Sequence, residues 1–496
     1  MRNLLPLFVA LPLAGAFLIP LLTKIKNWLG VLVANIITAA LFGLALLTIT
    51  ETFWGKILIC RLGGHQPPFG IILAVDALSA LLVFLVATIG LTATIFSIRY
   101  LESFTGWGKF YSLLMLLLAG MNGISLTGDL FNLFVFLEIS AIASYALVSF
   151  GLKAEGLEAS FKYMVLGEIA GLSILLGIAL LYAKTGTLNM ADLAQTIALL
   201  PQSGIFWFII FLFLFGFMTK AAVIPFHFWL PDAYQNAPIP IATILAGVFG
   251  KVAGIYALSR IIFNIFNLSR ATNPQFFNLI LFLGICSLIL GGFFALNQSD
   301  YKRLLAYSSI SAIGYIFVGL GLGNFWGVSG AVFFIFAHAL TKGLLFLTAG
   351  SVENTFGLSS LDGLVNWEKR LPVTGLSFNI GLLSLSGIPP FPGFFAKLFI
   401  ILGALVADQY VVAIICALFS TLTLAYLLKV WRGMVSRSEE ENRLMEPATM
   451  RLAMLLLVIF LIAAGIGFQP VLNWLVEPAA NALLGGITYA QIILGG

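Results

Sequence analysis

Fourteen runs of roughly 20 mostly apolar residues, the length a bilayer requires of a helix, follow one another along the chain. They lie at about 4–23, 28–50, 71–98, 110–127, 130–150, 161–183, 204–224, 238–258, 276–297, 303–323, 325–350, 372–402, 409–430 and 452–470. The pattern predicts an all-α polytopic membrane protein of about 14 transmembrane helices, with residues 1–496 as a single membrane domain. The first run, LLPLFVALPLAGAFLIPLL, is followed by another span and not by a small-residue cleavage site, so it reads as a helix that stays. The segment after Val471 reads as a short interfacial tail.

Composition agrees with the pattern. The 496 residues are 61% hydrophobic and 9% charged, more apolar surface than a soluble domain of this size could hide. An even number of spans puts both termini on one side, and Lys and Arg in the loops set the orientation. Six fall on the side of the termini: Arg2, Lys56, Arg61, Lys184, Arg260 and Arg270. Fifteen fall on the other side, so both termini are expected to face outward and the SRSEEENRLMEP loop to be cytoplasmic. The net charge of +5 is accounted for by this topology, and no nucleic-acid partner is expected.

A weak repeat is also readable. DLFNLFVFLEISAIASYALVSFG from Asp129 aligns with DYKRLLAYSSISAIGYIFVGLG from Asp300, sharing the aspartate and the block ISAI at an offset of 171 residues, and IPFHFWLP from Ile224 echoes IPPFPGFF from Ile388. Each unit holds five spans, over 110–258 and 276–430. An odd number inverts the second copy, an arrangement on which many transporters are built.

The remaining four basic residues, Lys220, Lys251, Lys342 and Lys397, lie inside predicted spans. So do Glu138 and Glu168, and Asp76 lies about a turn into one. An ionised side chain at mid-bilayer costs about 2.5–3.5 kcal/mol on insertion scales, so such residues turn inward and find partners. Pro225 opens the seventh span one turn after Lys220. Pro389, Pro390 and Pro392 break the twelfth, with Lys397 just beyond. Freed carbonyls are tolerable where they face a watery cavity. Desolvation favours the neutral form of a buried amine and a nearby carboxylate favours the charged one, so a lysine beside a mobile partner can hold or release a proton. Glu138 is the expected counter-charge of Lys220. Lys251, between Gly250 and Gly254, is placed to draw protons onward and to weaken that pair by repulsion. His338 and Lys342, spaced i, i+4, share one face of the eleventh span and suit a proton bridge between the units.

Other polar residues have more modest readings. Glu168 belongs either to the same chain of groups or to a pair with Lys162; Asp232 reads as a loop turn residue, and Asp76 as a cap or anchor of the third span. Cys60, Cys286 and Cys416 lie far apart without a CxxC, and the only histidines are His65, His227 and His338. These counts argue against an iron–sulfur cluster, a zinc site and haem, so no cofactor and no metal are expected. No nucleotide-binding loop, HExxH or nucleophile elbow is present.

GFMTKAAVIPFHFWLPDAYQNAPIPIATILAG, LTGDLFNLFVFLEISAIASYALVSFG, NQSDYKRLLAYSSISAIGYI and SGIPPFPGFFAKLF together resemble the antiporter-like subunits shared by respiratory complex I, membrane-bound hydrogenases and Mrp-type cation/proton antiporters. VDALSALL and KTGTLNMADLA are most similar to the D-type subunit of Mrp antiporters and its hydrogenase counterpart. The resemblance implies two inverted five-helix units, broken seventh and twelfth helices, and a polar axis. On that axis Glu138, Lys220, Lys251, His338, Lys342 and Lys397 match the family's titratable positions. On this resemblance, the long lateral helix of the largest complex I relative is not expected here.

The leading expectation is therefore a proton-translocating subunit of a cation(Na+)/proton antiporter or a related respiratory complex in a prokaryotic cell membrane. Its partners would be other membrane subunits, protons and sodium, the last carried by this chain or by a neighbour. As an enzyme it would have no redox centre of its own, at most serving as the ion-translocating part of an oxidoreductase complex. A stand-alone transporter of a small solute is the alternative, and a chain that borders a quinone site is a third reading.

Overall fold

In lipid every backbone polar group must be satisfied internally, so the apolar runs fold as helices. A computed structural model describes residues 2–53, 55–65, 67–68, 70–357, 360–361, 366–435 and 444–495. Most of the SRSEEENRLMEP loop, at 436–443, lies outside the described residues. Among the described residues, 13 helices are long and apolar enough to cross a membrane. The predicted run 372–402 is not one of them. It is divided into Pro372–Ser386 and Pro392–Val406, and counting these halves as one span keeps the predicted order from first to fourteenth.

Burial separates the spans into a centre and a periphery. The eighth (Ile239–Ile265) and eleventh (Phe325–Phe356) are wholly buried over their most apolar 18 residues, and the third and tenth nearly so. The first, second and thirteenth bury only about a third of theirs and present Phe17, Ile36 and Val411 outward. The buried lysines of the eighth and eleventh spans thus sit on the two helices with least access to lipid.

Several boundaries differ from the sequence reading. The apolar run at 71–98 begins as a strand: Ile72–Val75 pairs antiparallel with Leu58–Arg61, Leu58 opposite Val75 and Arg61 opposite Ile72. The helix starts only at Ala77, because the Asp76 carboxylate accepts the Ser79 N–H (2.9 Å) and caps it. Asp76 is therefore the cap expected of it and not a residue one turn inside. The sixth span starts at Ala154, ahead of the predicted run at 161–183. The eighth runs on to Ile265, which moves Arg260 from the predicted loop into the helix, where it is 4% exposed. Wide π-type turns occupy Leu245–Tyr256 and Arg260–Ile265 of this span.

The segment after Val471 is more than an interfacial tail. Helices Glu477–Leu484 and Thr488–Gly495 fold back on the bundle and bury Ala479, Ala480, Leu483 and Ile493. The Asn264 amide donates to the carbonyls of Ala482 (2.9 Å) and Gly486 (3.1 Å), and Arg260 lies over the Tyr489 ring.

The aspartates aligned by the repeat have matching local roles. Asp129 caps the fifth span through the Asn132 N–H and bridges Asn189; Asp300 caps the tenth through the Arg303 N–H and bridges Ser360.

Candidate functional site: a line of buried amines

The seventh span ends as a helix at Ala221. Ala222 takes a left-handed conformation (φ 60°), Pro225 follows, and the chain resumes as the helix Trp229–Asn236. Groups freed by this interruption are met from nearby: the Trp229 indole donates to the Thr219 carbonyl (2.9 Å), and the Ile224 N–H donates to Ser287 Oγ (3.0 Å). Gly254 admits the broken end, since a Cβ there would stand 2.6 Å from the Ala221 backbone nitrogen.

Lys220, in the last turn before the break, is 1% exposed. Its Nζ lies 3.6 Å from Glu138 Oε1, close enough for an ion pair and too far for a hydrogen bond. Among the described residues no group donates a hydrogen bond to Glu138 Oε1. The ammonium donates instead to the Tyr145 hydroxyl at 3.3 Å. The proximity expected of Lys220 and Glu138 is thus present, but as charge against charge with the donor turned aside.

Among the described residues Lys251, Lys342 and Lys397 have no carboxylate within ion-pair distance, and each is held by neutral oxygens. Lys251 Nζ donates to the Ala246 carbonyl (2.5 Å) within the π-type segment. Lys342 donates to the Leu305 carbonyl (2.7 Å) and to Ser308 Oγ, both on the tenth span. Lys397 reaches back across its own break to the Leu385 and Ser386 carbonyls (2.9 and 3.2 Å) and to Ser420 Oγ. Those carbonyls end the first half-helix, which Gly387 closes at φ 79°, and a cation fits such a terminus. His338, stacked on Phe334, has neither ring nitrogen hydrogen-bonded to any of the described residues and lies within electrostatic reach of Lys251, Lys342 and Lys397. The six residues singled out from sequence are therefore all buried or half-buried within the bundle, with His338 among three amines and Lys220 alone beside a carboxylate.

One open alternative narrows and one expectation changes. Of the two readings left open for Glu168, the pair with Lys162 is absent: Lys162 pairs with Glu158 (2.7 Å) and Asp232 (3.2 Å), and Glu168 lies within electrostatic reach of the Tyr145 hydroxyl. Asp232 is not a loop turn residue: it lies in the helix after the break and pairs with both Lys162 and Arg303 (3.0 Å), tying the sixth, seventh and tenth spans together. Sequence reasoning also missed the buried Asp76–Arg260 pair and Tyr145. The signals were present: ALSRIIFNIF stays apolar past Arg260, and Tyr145 falls seven residues after Glu138, on the same helix face.

A membrane-embedded bundle with interrupted helices and a file of buried amines is the construction of an ion-pathway subunit. The chain belongs to the family of antiporter-like membrane subunits: the model "NADH:quinone oxidoreductase/Mrp antiporter, TM" matches residues 127–423, and "NADH-Ubiquinone oxidoreductase (complex I), chain 5 N-terminus" matches 63–111. It is 34% identical over 501 residues to the D-type subunit of the Na(+)/H(+) antiporter of Alkalihalophilus pseudofirmus, covering 100% of both chains. It is 39% identical over 369 residues to the N-type subunit of the NADH-quinone oxidoreductase of Desulforudis audaxviator, covering 74% of this chain and 73% of that one. Among solved structures, a chain of the Mrp complex from Dietzia sp. superposes with a TM-score of 0.92 at 28% identity, covering 100% of this chain and 99% of that one. A chain of an archaeal membrane-bound sulfane sulfur reductase superposes with the same TM-score at 32% identity, covering 99% of both.

Proposed function

We propose that this chain is the proton-translocating subunit of a multi-subunit cation/proton antiporter in a prokaryotic plasma membrane. Protons pass along Lys251, His338, Lys342 and Lys397, and changes at the Glu138–Lys220 pair drive them. The observation that carries the reading is that pair: an ammonium and a carboxylate 3.6 Å apart beside a broken helix, with no hydrogen bond to lock them. Small displacements of Lys220 change its electrostatic energy steeply, and Lys251 lies one helix onward. Residues 110–258 and 276–430 act as inverted five-helix units, a reading supported by the matching parts of Asp129 and Asp300. Both termini face outward, supported by the excess of Lys and Arg on the opposite side.

The parent complex is read as an Mrp-type antiporter because the similarity to the D-type antiporter chain spans both sequences in full, whereas that to the N-type chain of an NADH-quinone oxidoreductase covers 74% of this one. A second parent, an ion-pumping respiratory complex, is favoured by the equal superposition on the sulfane sulfur reductase chain. Affinity purification of the tagged chain from its native membrane separates the two: small antiporter subunits co-purify in the first case, redox subunits in the second. Sodium-driven proton movement in everted vesicles then tests the activity. Lys220→Ala is expected to abolish it while the complex stays assembled; unchanged exchange in that variant would remove the basis of the proposal. Exchange by the purified chain alone would favour a stand-alone transporter.

A further inference from the structure

Lys220 faces two carboxylates, and the groups between it and the second are arranged for more than packing. Its hydrogen bond goes to the Tyr145 hydroxyl (3.3 Å), and Glu168 on the sixth span lies within electrostatic reach of that hydroxyl. The sixth span is hollowed for these groups by two glycines one turn apart. A Cβ on Gly167 would overlap the Tyr145 hydroxyl oxygen, and one on Gly171 would stand 2.5 Å from Glu138 Oε1. The Tyr145 ring is fixed edge-on against Tyr163 (4.6 Å between centroids), whose hydroxyl bonds Ser144, so the phenol oxygen has little freedom to turn elsewhere. Glu168 itself is half-buried, at the edge of a face whose Val165, Ile169 and Leu172 are exposed.

We propose that Tyr145 relays the Lys220 proton to Glu168, giving the amine a second acceptor besides Glu138. The step balances without any redox partner. An N–H bond of the ammonium breaks as an O–H bond forms on Tyr145, and the original phenol O–H breaks as one forms on the Glu168 carboxylate. Lys220 is left a neutral amine, Glu168 a neutral acid, and Tyr145 unchanged; the reverse step restores the charges. A tyrosine suits this position because one hydroxyl accepts from nitrogen while donating to oxygen. In the forward state Glu138 is left without its counter-charge, which couples the relay to the pair that drives the rest of the line. The inference rests on the proton-carrying role proposed for Lys220.

The test uses the intact complex in proteoliposomes. Tyr145→Phe, which removes one oxygen, and Glu168→Gln are each expected to lower proton-coupled exchange by about a hundredfold, the scale that a positioned proton-transfer group contributes. Fluorinated tyrosines installed at position 145 keep the hydroxyl and change its acidity, so exchange rates are expected to change progressively with fluorination, a trend that a purely structural tyrosine would not produce. If Tyr145→Phe does not assemble, the fluorotyrosine series decides alone. Exchange within about twofold of wild type in Tyr145→Phe, or identical rates across the fluorinated series, overturns the relay. If exchange is normal in Tyr145→Phe and lost in Lys220→Ala, only the relay falls; if Lys220→Ala also exchanges normally, the functional reading falls with it.

Discussion

Glu138→Gln perturbs the central pair directly, because the carboxylate meets Lys220 as charge against charge at 3.6 Å. The substitution keeps shape and removes charge. At 3.6 Å, two unit charges attract by about 4–5 kcal/mol at an effective dielectric of about 20. Losing that stabilisation shifts the equilibrium between the charged and neutral Lys220 towards the neutral amine by about a thousandfold. If the charged amine lies on the transport cycle, exchange should fall by a similar factor. The assay is sodium-driven proton movement by the complex in sealed vesicles, with subunit composition checked on the same preparation. A rate within tenfold of wild type, from an intact complex, would refute the reasoning: either the carboxylate is not needed or the ammonium is stabilised from elsewhere.

Arg260→Leu strands the buried Asp76 carboxylate and releases the Tyr489 ring, so a loss of about 3–5 kcal/mol is expected. It should appear as earlier thermal unfolding and faster proteolysis near Gly485, and adding Asp76→Asn should restore much of it. Lys397→Met leaves the Leu385 carbonyl without its donor, at about 1–3 kcal/mol, while the Ser386 carbonyl keeps the Ser420 hydroxyl, and the variant is expected to lower both melting temperature and exchange. Asp232→Asn breaks pairs with exposed Lys162 and partly exposed Arg303; such surface pairs contribute little, so the melting temperature should hardly move and exchange should change by less than about twofold.

Much of this molecule is legible in its sequence because the bilayer imposes coarse rules. A spanning helix must be long and apolar, so the runs mark the spans; an ionised group inside one is costly, so the four lysines and Glu138 stand out without any knowledge of tertiary structure. Where local composition fits two outcomes, legibility ends. Ile72–Val75 reads as the start of a helix and is a strand, since four apolar residues look alike in both and only the capping carboxylate of Asp76 marks the boundary. Arg260 reads as a loop cation because charge usually ends a span; its partner lies 184 residues away, at the start of the third helix. Tyr145 is one aromatic among 14% in this composition, and its role depends on two glycines of another helix. The neutral oxygens that hold Lys251, Lys342 and Lys397 are mostly backbone carbonyls, which no residue type announces.

The central claim is that the buried amines and the imidazole form one connected route, and it is tested most directly far from the Glu138–Lys220 pair. Sodium efflux and internal pH would be recorded together in proteoliposomes holding the wild-type complex or its His338→Ala or Lys342→Ala variant. Proton movement is expected to be lost in both variants while the complex remains assembled. Undiminished proton movement in either one would contradict the account.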